Sequence, residues 1–271
     1  MTKLKKNPVR KKTKTAKKKT KTDLITPSAL VESMDKVIIG QDSAKKALAL
    51  ALFRHQLHIK CGSGKVSILI MGPTGTGKTE MVNTIAKEFD APFVKVDATS
   101  ITPSGYKGPG LMSVTQRLLS AAGGDIDKAE RGIVMFDEVD KLSSKGKELN
   151  IILQNELLKF IEGGEYSLDD EESNGETINT ENIMFILVGA FSGIDKIVGK
   201  KNSRTKNTEV DYRNVKQHHI VEYGLVPELV GRISSITATG NLSAKMFKEI
   251  LLKSDKSPLK GLQKIAELFN K

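Results

Sequence analysis

An apolar run, Val66-Ser67-Ile68-Leu69-Ile70-Met71, passes directly into Gly72-Pro73-Thr74-Gly75-Thr76-Gly77-Lys78-Thr79 and then into Glu80-Met81-Val82-Asn83-Thr84-Ile85-Ala86-Lys87. The middle stretch fits G-x-x-x-x-G-K-[ST], a loop set between a buried strand and a helix. Glycine permits the tight turn in which backbone N–H groups converge on phosphate oxygens, and the helix N-terminus adds its partial positive charge. Lys78 is then expected to reach the β- and γ-phosphates, and Thr79 to hold Mg2+. The plain alternative is a glycine-rich turn with no ligand; the strand before and the helix after argue against it.

A second segment answers the first. Gly132-Ile133-Val134-Met135-Phe136-Asp137-Glu138-Val139-Asp140 reads as a fully buried strand that delivers two carboxylates at its C-terminal end, beside the phosphate loop. Asp137 is expected to hold Mg2+ through its shell, and Glu138 to orient and deprotonate the attacking water. Apolar runs ending in Asp-Glu are common singly; the pairing with the glycine loop gives this one meaning.

Around these two motifs the chain alternates strands and helices, the pattern of an α/β fold with a parallel sheet. Val37-Ile38-Ile39-Gly40-Gln41 precedes a helix from about Asp42 to His58 that Asp42 or Ser43 can cap. Ile38 and Ile39 could wall an adenine pocket or serve packing alone. Pro92 to Val96 reads as a strand ending at Asp97, and Gly105-Tyr106-Lys107-Gly108-Pro109-Gly110 as a glycine-rich loop, its tyrosine either presented outward or folded back. Helices follow over Met112 to Ala122 and Leu149 to Glu162, then a buried strand from Ile183 to Val188 and a last strand from Ile233 to Ala238. Arg232, just before that strand, could form a local ion pair or face a neighbouring subunit's γ-phosphate. Helices over Ser243 to Lys253 and Pro258 to Asn270 end the chain. Asp169 to Gly175 reads as a solvated acidic loop and Lys200 to Asn214 as a polar, mobile one. Adjacent His218 and His219 point apart in regular structure and make a poor metal pair.

The formal charge of +11 belongs to one end. Residues 1–22 hold 11 Lys and Arg and no acid, and the remainder carries 32 bases against 32 acids. Such a tail, residues 3–21 above all, is expected to be disordered when free. It could bind nucleic acid through phosphates in a salt-sensitive way, or act as a solubilising or nuclear-address leader. No apolar run reaches the roughly 18 residues of a membrane span, so a soluble, intracellular protein is expected. Cys61 is the single cysteine, which excludes an internal disulfide and reads as a half-buried apolar filler.

In their order along the chain these segments resemble the AAA+ module of the ClpX family of protein unfoldases, over residues 24 to about 252. Val37 to Gln41 resembles its adenine-side motif, Gly72 to Thr79 its Walker A and Ile133 to Glu138 its Walker B. Asp97-Ala98-Thr99 with Gly105-Tyr106-Lys107-Gly108 resembles the stretch leading to its pore loop. Leu158 to Gly163, Gly189-Ala190-Phe191 and Gly224 to Arg232 follow in the family's order. The resemblance implies a P-loop NTPase (AAA+) three-layer sandwich with a central parallel sheet, over residues 23–240, and a truncated C-terminal helical segment over 241–271. It implies an ATPase using ATP and Mg2+, with Ile38, Ile39, Gly72, Pro73, Thr74, Gly75, Thr76, Gly77, Lys78, Thr79 and Asp137 binding the nucleotide. Glu138, Lys78 and Arg232 would be catalytic, Arg232 as a finger in trans. Tyr106 and Lys107 would meet a protein substrate in the pore of a homo-oligomeric ring, a cytoplasmic hexamer; a ring also suits head-to-tail contacts that complete each site.

Several family features have no counterpart in these 271 residues. These are the zinc-binding N-domain, the basic pore-entrance loop, the sensor-2 arginine with most of the small domain, and the Ile-Gly-Phe docking tripeptide, which argues against a ClpP-type peptidase as partner. Lys107 stands where the family carries an aliphatic residue. Two other functions therefore stand beside protein remodelling: a nucleic-acid-associated loader or filament-type regulator using the tail, and a nucleotide-dependent scaffold or modulator of a complete ring.

Overall fold

Alternate residues of the strand after Lys65 enter different cores. Ile68 and Ile70 join one buried cluster, Leu69 and Met71 another, as the period of two requires of a strand covered on both faces. The computed structural model describes residues 24–144, 148–168, 176–199, 212–253 and 257–269. Its centre is a five-stranded parallel sheet in the order β2-β3-β6-β1-β7, with β1 Ser67–Met71, β2 Phe93–Asp97, β3 Ile133–Asp137, β6 Met184–Gly189 and β7 Ser235–Ala238. Helices α1 (Pro27–Asp35), α2 (Asp42–Cys61) and α3 (Lys78–Glu88) cover one face. Helices α4 (Met112–Ala121), α6 (Glu148–Glu162), α8 (Gln217–Tyr223) and α9 (Pro227–Gly231) cover the other. This is the three-layer α/β sandwich expected of a phosphate-loop fold. All strand pairs of the sheet are parallel, so the loops that follow β1, β2, β3 and β6 gather at one edge.

Short elements escaped the sequence reading. A two-stranded antiparallel hairpin, β4 (Glu165–Ser167) with β5 (Thr177–Asn179), flanks the acidic stretch; three-residue strands carry too little periodicity to announce themselves. Asp169 to Gly175 lies outside the described residues, as do residues 1–23 and most of Lys200 to Asn214. Helices α5 (Ile126–Ala129) and α7 (Ile194–Val198) were likewise too short to read. Helices α10 (Ala244–Lys253) and α11 (Pro258–Phe269) close the chain as expected.

Three local expectations are corrected. Helix α2 is entered through Gln41 at φ 62° with no side-chain cap, so neither Asp42 nor Ser43 caps it; the Gln41 amide instead donates to the Gly240 carbonyl (2.9 Å) and accepts from the Gly240 N–H (2.8 Å). Cys61 is exposed, because it falls at the solvent end of α2, where its thiol donates to the Leu57 carbonyl. His218 and His219 do not point apart: their ring centroids lie 3.9 Å from each other at the start of α8, where the His219 Nδ1 accepts the Lys216 N–H. No helix among the described residues is long and apolar enough to cross a membrane.

One buried group makes a stability prediction. His55 on α2 is fully buried against the edge of Phe89, and neither ring nitrogen has a hydrogen-bond partner among the described residues. Burial, helped by the charges of His58 and Lys65, pulls its pKa from 6.5 to about 3. Between those values the unfolded chain binds a proton that the folded chain refuses, so this contribution to stability is lost as pH falls from 6.5 toward 3. Its full size is on the order of 4 kcal/mol. His55→Leu is expected to flatten the acid limb of a melting-temperature profile over that window; an unchanged acid limb would assign the acid sensitivity elsewhere.

Candidate nucleotide site

The loop from Gly72 to Gly77 leaves β1 and closes on the first turn of α3. Gly72 (φ 138°), Gly75 (φ 81°) and Gly77 (φ 91°) all occupy backbone conformations closed to ordinary side chains. At Gly72 a Cβ would also collide with Thr239, coming 2.5 Å from its carbonyl oxygen. At Gly77 it would press on the Cδ1 of Ile38 at 3.3 Å, so the buried Ile38 does lie against the loop, whereas Ile39 is half-buried. Thr76 is held by the Pro73 carbonyl (2.8 Å) and by the Thr239 hydroxyl (2.6 Å), which ties the loop to the chain after β7. Thr74 and Gly75 are exposed at the crest and Thr79 is half-buried in the first turn of α3.

Lys78 is buried, and its ammonium donates to the carbonyls of Gly72 (2.6 Å) and Pro73 (2.7 Å). Burial lowers its pKa most; Asp137 and then Asp140 oppose that shift, and Lys95 adds to it. These four side chains therefore share one field at the sheet edge. Asp137, at the end of β3, accepts the Glu138 N–H on Oδ1 (3.0 Å) and pairs with the Lys95 ammonium through Oδ2 (2.7 Å). Glu138 is exposed and sits at φ 59°, a left-handed conformation uncommon outside glycine.

Asp140 is buried and accepts the Ala190 N–H on Oδ1 (3.2 Å), which binds the turn after β3 to the end of β6. Burial first, and then nearby acids that include Asp140, raise the pKa values of Tyr212 and Tyr223. Asp140, Lys95 and Thr239 received no role in the sequence reading. The Asp-Glu-Val-Asp run could have drawn attention to Asp140; Lys95 and Thr239 had no signal, since only the sheet brings them to the loop.

Arg232 is elsewhere. Its carbonyl accepts the Ser67 hydroxyl at the start of β1, while the phosphate loop leaves the other end of that strand. Five residues of strand put the two roughly 15 Å apart. Its guanidinium pairs with Glu162, the last residue of α6 (Nε to Oε1 2.7 Å), and is 59% exposed. With Lys65, Glu162 and Ser234 it lines an open groove of about 490 Å³. Burial brings Lys65 down to about 8, with Glu181 opposing. A buried amide links the two ends: Gln154 of α6 donates to the Leu142 carbonyl after β3 (2.7 Å) and accepts the Val226 N–H before α9 (2.7 Å).

Tyr106 and Lys107 stand at the tip of the loop that follows β2. Tyr106 is 57% exposed, so of the two readings the outward one holds. Ser104 N–H donates to Glu156 on α6 (3.0 Å), fixing the base of this loop. The chemistry at the sheet edge is that of a phosphate site: three glycines at positive φ, the first with no room for a Cβ, the first turn of a helix, a buried lysine, and a carboxylate close enough to share its field. These residues fit a nucleoside triphosphate with a divalent ion.

Comparison with known proteins agrees. Residues 63–236 match the AAA domain family, Cdc48 subfamily. The chain is 34% identical to the ATP-dependent Clp protease ATP-binding subunit ClpX of Treponema denticola, over 90% of this chain and 67% of that protein. The corresponding subunit of Borrelia duttonii is 34% identical over 90% and 64%, and that of Porphyromonas gingivalis 33% over 90% and 67%. The chain thus spans about two thirds of the length of these relatives.

Proposed function

This chain belongs to the ClpX family of AAA+ ATPases, and from that premise we propose that it couples ATP turnover to the remodelling of a protein substrate within a homo-oligomeric ring. The observation that carries this reading is Tyr106, which stands exposed at a loop tip anchored to α6. A tyrosine so presented can grip a polypeptide, with Lys107 beside it, and α6 connects that loop to both the acidic turn after β3 and Arg232.

In this proposal the N–H groups of Gly72 to Thr79 surround the phosphates and Lys78 turns from its own loop carbonyls toward them. Thr79 and Asp137 hold Mg2+, while Ile38 and Ile39 wall the adenine. The magnesium nucleotide supplies the phosphoanhydride bond and the divalent charge that offsets its oxygens. Glu138, exposed and next to Asp137 in the chain, orients and deprotonates the attacking water. Arg232, at the opposite end of β1 from its own loop, serves the site of a neighbour. A ring closes that arrangement by repeating one head-to-tail contact, and a hexamer working without a ClpP-type peptidase is the form we propose.

The test is steady-state ATP hydrolysis by the full chain alone, with an unfolded polypeptide, and with single- and double-stranded DNA at low and moderate salt. Stimulation by polypeptide that Tyr106→Ala removes is expected. Salt-sensitive stimulation by DNA alone would overturn the remodelling reading in favour of a nucleic-acid role for the lysine-rich residues 3–21. ATP binding without turnover in any condition would favour a scaffold.

A further inference from the structure

Both oxygens of the Asp137 carboxylate are engaged. Oδ1 takes the Glu138 N–H (3.0 Å), a donor that the backbone turn at φ 59° holds in place. Oδ2 takes the Lys95 ammonium at 2.7 Å. Each oxygen keeps a second lone pair, but a cation that approaches Oδ2 meets the charge of the Lys95 ammonium already seated there. The backbone donor cannot go; Lys95 can, on four rotatable side-chain bonds with its side chain 45% exposed.

The sheet explains how the pair forms. Lys95 alternates with buried Val94 and Val96 on β2, and Asp97 is the in-register partner of Asp137 on β3. Registered residues on parallel strands share a face, and so do i and i+2, which makes Lys95 the diagonal neighbour of Asp137. The Arg117 guanidinium donates to the Lys95 carbonyl (2.5 Å) and steadies the strand behind it. The ammonium also lies close enough to Lys78 to oppose its charge, so it occupies the phosphate and cation side of the site.

We propose that Lys95 is an electrostatic latch on Asp137: it competes with the divalent cation for that carboxylate and so raises the Mg2+ concentration at which nucleotide binding saturates. Lys95 is a positioning residue and acts only through Asp137. The inference rests on the reading of Asp137 as a metal-holding carboxylate. The competition is electrostatic, between a single charge already seated on Oδ2 and a double charge drawn to the same carboxylate. Because the pair lies at the mouth of the site, with Asp137 22% exposed, its loss shifts the balance modestly, as exposed pairs do, by roughly two- to fivefold.

The measurement is binding of a fluorescent ADP analogue to the full chain as a function of Mg2+, for wild type, Lys95→Met and Lys95→Arg, with binding in EDTA recorded for each. The Mg2+ midpoint is expected to fall about two- to fivefold in Lys95→Met and to stay at the wild-type value in Lys95→Arg, with binding in EDTA serving as each variant's own metal-free baseline. Lys95→Gln gives a second neutral side chain should the methionine variant fold poorly. An unmoved or raised midpoint in the neutral variants, or an equal shift in Lys95→Arg, overturns the latch while leaving the nucleotide site intact. Absence of any Mg2+-dependent nucleotide binding by the wild type overturns the site reading and the latch with it.

Discussion

Arg232→Ala is expected to lower ATP hydrolysis by about 10³- to 10⁵-fold, the range over which an arginine finger acts, while nucleotide binding and the fold persist. The fold should tolerate the change because Arg232 meets Glu162 in a pair open to solvent, 59% and 37% exposed, and such pairs contribute little to stability. Binding should persist because the residue sits at the start of β1 and the phosphate loop at its end. The same separation yields a sharper test. Arg232→Ala and Glu138→Gln subunits are each expected to be inactive alone, yet mixing them should restore part of the turnover, since a Glu138→Gln subunit still offers its arginine to a neighbour with an intact carboxylate. Mixtures as inactive as their components would sink the role in trans.

Glu138→Gln is the second large effect: hydrolysis should fall about 10²- to 10⁴-fold, as expected when a general base is removed. ATP should still bind, because Lys78, the glycine loop and Asp137 are untouched. The backbone geometry also favours a clean result. The Glu138 N–H, not its side chain, supports Asp137 (3.0 Å), and the amide is nearly isosteric with the acid, so the left-handed turn at φ 59° carries over. Single-turnover hydrolysis beside calorimetric ATP binding separates the two steps. Turnover within a few-fold of wild type would show that another group activates the water.

The tight turn of the glycine loop, the long helices and the buried strands were legible in the residues because each is a local pattern. Gly72 to Thr79 reads as a cradle wherever it occurs between strand and helix, and Ile133 to Asp137 reads as buried because every position is apolar until the carboxylate. Family resemblance added expectations for Arg232, Tyr106 and the adenine-side segment, for which local pattern offered two readings each. The small elements β4, β5, α5 and α7 lay below the length at which periodicity speaks.

By itself, then, the sequence determined an α/β phosphate-loop protein, its two site motifs and the confinement of its excess charge to residues 1–22. Tertiary structure alone decided which groups share the site. Lys95 is 42 residues from Asp137 and Thr239 is 163 from Thr76, and only the strand order β2-β3-β6-β1-β7 sets them side by side. It also decided that Arg232 lies at the opposite edge from its own loop, because a parallel strand carries its two ends to different faces of the molecule. Pairing across a sheet depends on strand order and register, which no single segment encodes; the shape of a loop depends on the residues within it, and those are read directly.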